Sequence, residues 1–100
     1  MTENEGRAVV QNVARIAEIG PVVVDYDSRF SDYQIHGMTV FTDPPRILLC
    51  PSLLDDPDEL LHTAVHEVCH VLAGESAHGS AFLEQIVPLM MRLQSAGAFA

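Results

Sequence analysis

Between Asp56 and Gly74 the chain carries a helix with its start, its stop and its two faces written out in residues. Asp56 suits the N-cap, and Pro57 the first helical position, where a missing N–H costs nothing. Glu59, at the third position, is placed to reach back to the cap, and Asp58 adds negative charge where the helix dipole favours it. Gly74 offers a left-handed stop after Ala73. Leu61, Val65, Val68 and Leu72 fall on one face and call for burial against other elements.

The same helix carries His66-Glu67-Val68-Cys69-His70. Residues four apart lie one turn apart on the same face, so two imidazole nitrogens can converge on one ion at about 2.0–2.1 Å. Glu67 points about 100° round the helix from His66, given 3.6 residues per turn. That offset keeps its carboxylate out of the ligand set and close enough to act as a base. Two histidines leave a catalytic zinc short of a protein ligand, and the third must come from beyond Gly74. The candidates are His78, Glu84 and Glu75. His78 is preferred: it opens the next helix, and Gly79 leaves the backbone room. Glu84, on the last helix, would give a two-histidine, one-glutamate set. Glu75 follows the helix end so closely that its reach is short.

The rest of the chain reads as α+β. Val9, Val13 and Ile16 recur at helical spacing, which predicts a first helix from about Asn4 to Ile19, stopped by Gly20-Pro21. Three strands follow: Val22 to Val24, Ile35 to Phe41 and Arg46 to Cys50, the last two joined as a hairpin across Asp43-Pro44-Pro45. They predict a small three-stranded, mostly antiparallel sheet. Asp27 to Tyr33 reads as a loop. A final helix starts near Gly79, with Phe82 anchoring it to the core. Pro88 should kink or split it, because proline removes a helical donor. The tail from Ser95 to Ala100 should fray.

The 100 residues suit one domain, and 48% apolar with 19% charged residues allows a packed core. A net charge of −9 and the absence of a Lys/Arg stripe argue against direct nucleic-acid binding. No apolar run approaches the roughly 18 residues of a membrane span, and Met1 to Glu5 lacks the basic start of a secretion signal, so a cytoplasmic location is expected. Cys50 and Cys69 are too few for a disulfide scaffold and form no CxxC pair. Both read as buried packing residues, His62 as an ordinary exposed helix histidine, and Met90 and Met91 as core filling.

From Arg46 to Met90 the chain resembles the protease core of SprT-like proteins. The resemblance rests on Ile47 to Pro51 with Leu53-Leu54, the acidic linker Asp55 to Glu59, the HExxH segment His66 to His70, and the HGxxF segment His78-Gly79-Ser80-Ala81-Phe82. It implies a zincin fold in one minimal domain over residues 1–100. It also implies zinc ligation by His66, His70 and His78, Glu67 as general base, and a peptide or protein substrate. Minimal zincins such as the minigluzincins are the next resemblance, and their glutamate ligand would favour Glu84. Basic DNA-binding segments and a zinc ribbon are missing from these residues, so the DNA-crosslinked substrates of some SprT-like proteins are not carried over. The expected reaction is peptide-bond hydrolysis, with an edge strand at Met38–Phe41 or Arg46–Leu49 holding the substrate by β-augmentation. The rival is a structural metal site, or a binding module without turnover. The presence of Glu67 argues against it, because a structural site gains little from a carboxylate there.

Overall fold

The computed structural model describes residues 1–99. Helix α1 spans Glu3–Ile16, strand β1 Val23–Tyr26, strand β2 Gly37–Val40, strand β3 Arg46–Leu49, helix α2 Pro57–Ala73 and helix α3 Ser80–Ser95. One 3₁₀ helix, Ser28–Tyr33, follows β1 and another, Pro51–Asp55, follows β3.

The first helix ends three residues before the expected Ile19. Glu18 adopts a left-handed conformation (φ 60°), and the Ile19 N–H returns to the Ala14 carbonyl at 3.3 Å. This resembles a Schellman stop, in which the residue after the turn folds back onto the helix. Ile19 is thereby delivered to the core instead of extending the helix. At the other end, Thr2 and Glu5 exchange bonds in a capping box, the Thr2 side chain accepting from the Glu5 N–H.

The sheet has the order β1-β3-β2. β2 and β3 pair antiparallel, with Thr39 opposite Ile47, and β1 pairs with β3 in parallel, with Val24 opposite Ile47. The sheet is therefore mixed, one pair of each kind, where the strand sequence predicts a mostly antiparallel one. The reason lies in the stretch read as a loop. Asp27 caps the Arg29 N–H, Ser28–Tyr33 coils into a 3₁₀ helix, and Phe30 is buried. This crossover carries the chain past the position beside β1, which β3 then fills. β2 is left at the edge of the sheet.

Helix α2 lies at the centre, packed between α1 and α3 and against β2. Its boundaries are those its caps dictate: Asp56 accepts from the Glu59 N–H at 3.3 Å, and Gly74 turns left-handed (φ 72°). Val65 and Val68 are buried and Leu61 and Leu72 partly so, but the helix also buries Leu60, Ala64 and Cys69. Ile47 and Leu49 of β3, Val10 and Val13 of α1, and Leu89 and Leu93 of α3 complete the core. Met90 and Met91 remain exposed. Helix α3 continues through Pro88 from Ser80 to Ser95 without being split. Beyond it, the Ala98 N–H folds back to the Leu93 carbonyl (2.9 Å), and Ala98 packs on the core, so the tail is turned inward rather than frayed up to there. The expected fraying at Ala100 lies outside the described residues. Among the described residues, no helix is long and apolar enough to cross a membrane.

Candidate metal centre

Two turns of α2 and the segment after Gly74 bring His66, His70 and His78 together, with their ligating atoms all within 4.8 Å of one another. His66 Nε2 lies 3.2 Å from His70 Nε2 and 3.0 Å from His78 Nε2. His70 is buried, His66 intermediate and His78 exposed, so the group sits at the rim of the packed helix. The left-handed Gly74 makes this convergence possible. It ends α2 within one turn of His70 and sends the chain back across the helix end, and α3 then starts directly after His78.

The Nδ1–H of His70 donates to the Glu75 carbonyl at 3.1 Å. That bond sets the tautomer and leaves the Nε2 lone pair facing inward, the arrangement found behind metal-ligating histidines. Phe82 is buried beneath the group, its ring centroid 4.8 Å from that of His70 and 5.1 Å from those of His66 and His78. Its apolar ring restricts how the three imidazoles can turn. Burial holds the His66 imidazole below its ordinary pKa of 6.5; Glu67 opposes that, while His70 and His78 add to it. The neutral imidazole is the form that binds metal.

This donor set fits a zinc ion. Imidazole nitrogens bound tetrahedrally at 2.0–2.1 Å would stand about 3.3 Å apart, close to the two separations from His66 Nε2, 3.2 Å to His70 and 3.0 Å to His78. Protons alone satisfy the group poorly, because His66 Nε2 faces two other ring nitrogens and can share at most one hydrogen. A divalent cation satisfies all three lone pairs at once.

The Glu67 carboxylate meets β2. The residue is 5% exposed, and its Oε1 accepts from the Thr39 hydroxyl at 2.8 Å; the same hydroxyl lies 3.1 Å from the Glu67 carbonyl. β2 comes this close because Gly37 has no side chain. A Cβ there would stand 2.8 Å from Thr63 Cγ2 and 3.3 Å from Glu67 Cγ. A cleft of about 390 Å³ opens beside Glu67 and His66, with Gln34, His36, Glu59 and His62 on its outer walls.

Of the other residues the sequence singled out, Glu84 is exposed on α3 and stands outside the histidine group, and Glu75 contributes its backbone carbonyl to His70. Glu59 does not close the capping box at Asp56. Its carboxylate instead meets His36 Nδ1 at 3.2 Å, across the mouth of the cleft. His62 is exposed on the same cleft. Tyr26 donates to the Glu3 carbonyl at 2.9 Å, and Tyr33 is exposed. Cys50 and Cys69 are both free and buried. Cys69 is walled off from solvent, and burial pushes its thiol up to about 11.

Thr39 and the Glu75 carbonyl escaped the sequence reading. A threonine in a short β-branched strand looks like any strand former, and a backbone carbonyl has no sequence signature at all.

Helix, edge strand and histidine group together form an α+β arrangement that is also found in a solved metallopeptidase zymogen. In particular, the chain superposes on the crystal structure of the metallopeptidase zymogen of Pyrococcus abyssi abylysin with a TM-score of 0.62. The two are 21% identical, and the match covers 81% of this chain and 75% of that one. At this identity the likeness is one of fold. No family model matches the sequence, and no curated protein matches it.

Proposed function

We propose that this protein is a zinc-dependent metallopeptidase that hydrolyses peptide bonds, with His66, His70 and His78 as metal ligands and Glu67 as general base. The observation that carries the reading is the convergence of three ring nitrogens on one point beside a buried carboxylate that takes no part in the group. A purely structural zinc is closed by four protein ligands; three histidines with an exposed third member leave a position open.

Zinc, when bound, supplies Lewis acidity, which polarises a carbonyl and brings the pKa of a water near 7. The chain's own residues do the rest. Glu67 takes a proton from the attacking water on its carboxylate and hands it to the leaving amine nitrogen. His70, tethered through Nδ1 to the Glu75 carbonyl, holds its Nε2 in place. The open edge of β2 offers unpaired backbone groups to an extended peptide, and the cleft beside Glu67 has room for a substrate side chain. Within the zincin-like class, His78-Gly79-Ser80-Ala81-Phe82 after the helix motif favours the SprT-like group, and the place of Glu84 outside the convergent histidine group argues against the glutamate-ligand alternative.

The test is digestion of a peptide library by zinc-loaded protein, with Glu67→Gln as the control. Wild-type cleavage lost in Glu67→Gln at unchanged zinc content is the expected result. Equal cleavage by both would remove Glu67 from the base role, and no cleavage by zinc-replete wild type would remove the peptidase reading.

A further inference from the structure

Thr39 carries a bond that hydrolysis as described does not use. Its hydroxyl has one proton and two acceptors in reach, both on Glu67: Oε1 at 2.8 Å and the backbone carbonyl at 3.1 Å. The shorter contact is to the carboxylate, where a charge-assisted bond is the stronger. The bond is part-buried, and Glu67 itself is buried, so little water competes for it.

The backbone of the same residue faces elsewhere. In an antiparallel pair, opposed residues alternate between hydrogen-bonded and non-bonded pairs. The Cys50 N–H donates to the His36 carbonyl at 2.8 Å, which makes His36–Cys50 a bonded pair. Counting along the register, Met38–Leu48 and Val40–Arg46 are bonded too, and Gly37–Leu49 and Thr39–Ile47 are not. The N–H and C=O of Thr39 therefore point away from β3, toward the open edge of β2. Thr39 is thus the point at which a strand added to the sheet would meet the residue that holds the base.

We infer that Thr39 is a positioning residue: its hydroxyl fixes the Glu67 carboxylate while its backbone registers an extended peptide on the β2 edge, so that docking and proton transfer share one reference point. The catalytic part of this rests on the metallopeptidase reading above. The Thr39–Glu67 bond does not.

The experiment uses Thr39→Val, which keeps shape and strand propensity but removes the hydroxyl, and Thr39→Ser, which restores it. In Thr39→Val, kcat should fall roughly ten- to a hundredfold, the scale of a misplaced catalytic group. KM and zinc content should stay within about twofold, because the backbone edge and the histidines are untouched. Thr39→Ser should recover most of the loss. In parallel, a double-mutant cycle of Thr39→Val and Glu67→Ala, read by urea unfolding of the metal-free protein, should be non-additive by about three- to tenfold in the unfolding constant. Wild-type kcat in Thr39→Val, or a loss that Thr39→Ser does not restore, would overturn the positioning role; an additive cycle would overturn the bond. If wild-type protein cleaves no peptide, the peptidase reading and the catalytic part fall together, and the cycle still decides whether Thr39 holds Glu67.

Discussion

Replacing His78 by alanine separates the metal site from the fold more cleanly than any other single change. His66 and His70 sit on a helix that packs on several sides, so their loss mixes metal binding with stability. His78 is exposed, and a substitution at such a position costs the metal-free fold within about 0.5 kcal/mol. Its Nε2, 3.0 Å from that of His66, is nevertheless one of three nitrogens at the site. Disturbing a residue behind a ligand already costs 10- to 100-fold in metal affinity, so removing a ligand should weaken zinc by at least about a hundredfold. At a zinc concentration well above both dissociation constants, a hundredfold weaker site lowers the metal-induced stabilisation by about 2.7 kcal/mol. For a domain of this size that corresponds to roughly 10–20 °C of the rise in Tm on adding zinc. The assays are competition with a chromophoric chelator for affinity, and thermal unfolding followed by circular dichroism with and without zinc. Glu84→Ala, made alongside, should match wild type in both. Full zinc retention in His78→Ala with loss in Glu84→Ala would refute the three-histidine assignment and move the site to a glutamate-ligand class.

Gly37→Ala should destabilise by about 1–3 kcal/mol in urea unfolding, because its Cβ would press on Thr63 and Glu67 and overpacking forces β2 off α2; an unchanged midpoint would contradict the close approach. Burial lowers the His66 pKa below 6.5, so in the window just below that value the unfolded chain binds more protons than the folded one. Metal-free protein should therefore lose stability as pH falls through that window, and the loss should shrink in His66→Gln. Of the two thiols, Cys50 should react first with a disulfide reagent. Burial raises its pKa, but the Ser31 and Ser52 hydroxyls at 3.3 and 3.1 Å and the Ser52 backbone outweigh burial, and the net shift is downward. Cys69, fully buried with its pKa pushed up to about 11, should react only on unfolding; faster labelling of Cys69 would contradict this order.

Local signals carried much of this structure. Helix α2 begins and ends where Asp56, Pro57 and Gly74 say it should, because caps act over three or four residues and need no distant partner. The spacing of His66 and His70 already placed two ligands on one face, and Gly74 made a return to His78 geometrically reasonable. What the chain did not show depends on contacts far apart in sequence. The parallel β1–β3 pair forms because Phe30 is buried and the intervening 3₁₀ helix steps over a strand position, which no alternation pattern encodes. The local pattern predicts Glu59 as half of a capping box, yet it has His36 within reach, a partner more than twenty residues away. Thr39 shows the same limit: its link to Glu67 exists only once β2 lies against α2, held there by the absence of a side chain at Gly37.

X-ray absorption at the zinc edge, on protein loaded with one equivalent of zinc, tests the central claim most directly. The account predicts one tightly held ion per chain with three imidazole nitrogens at about 2.0–2.1 Å and one further light-atom neighbour. Protein that retains no zinc after dialysis, or a shell with fewer than three imidazoles, would contradict it.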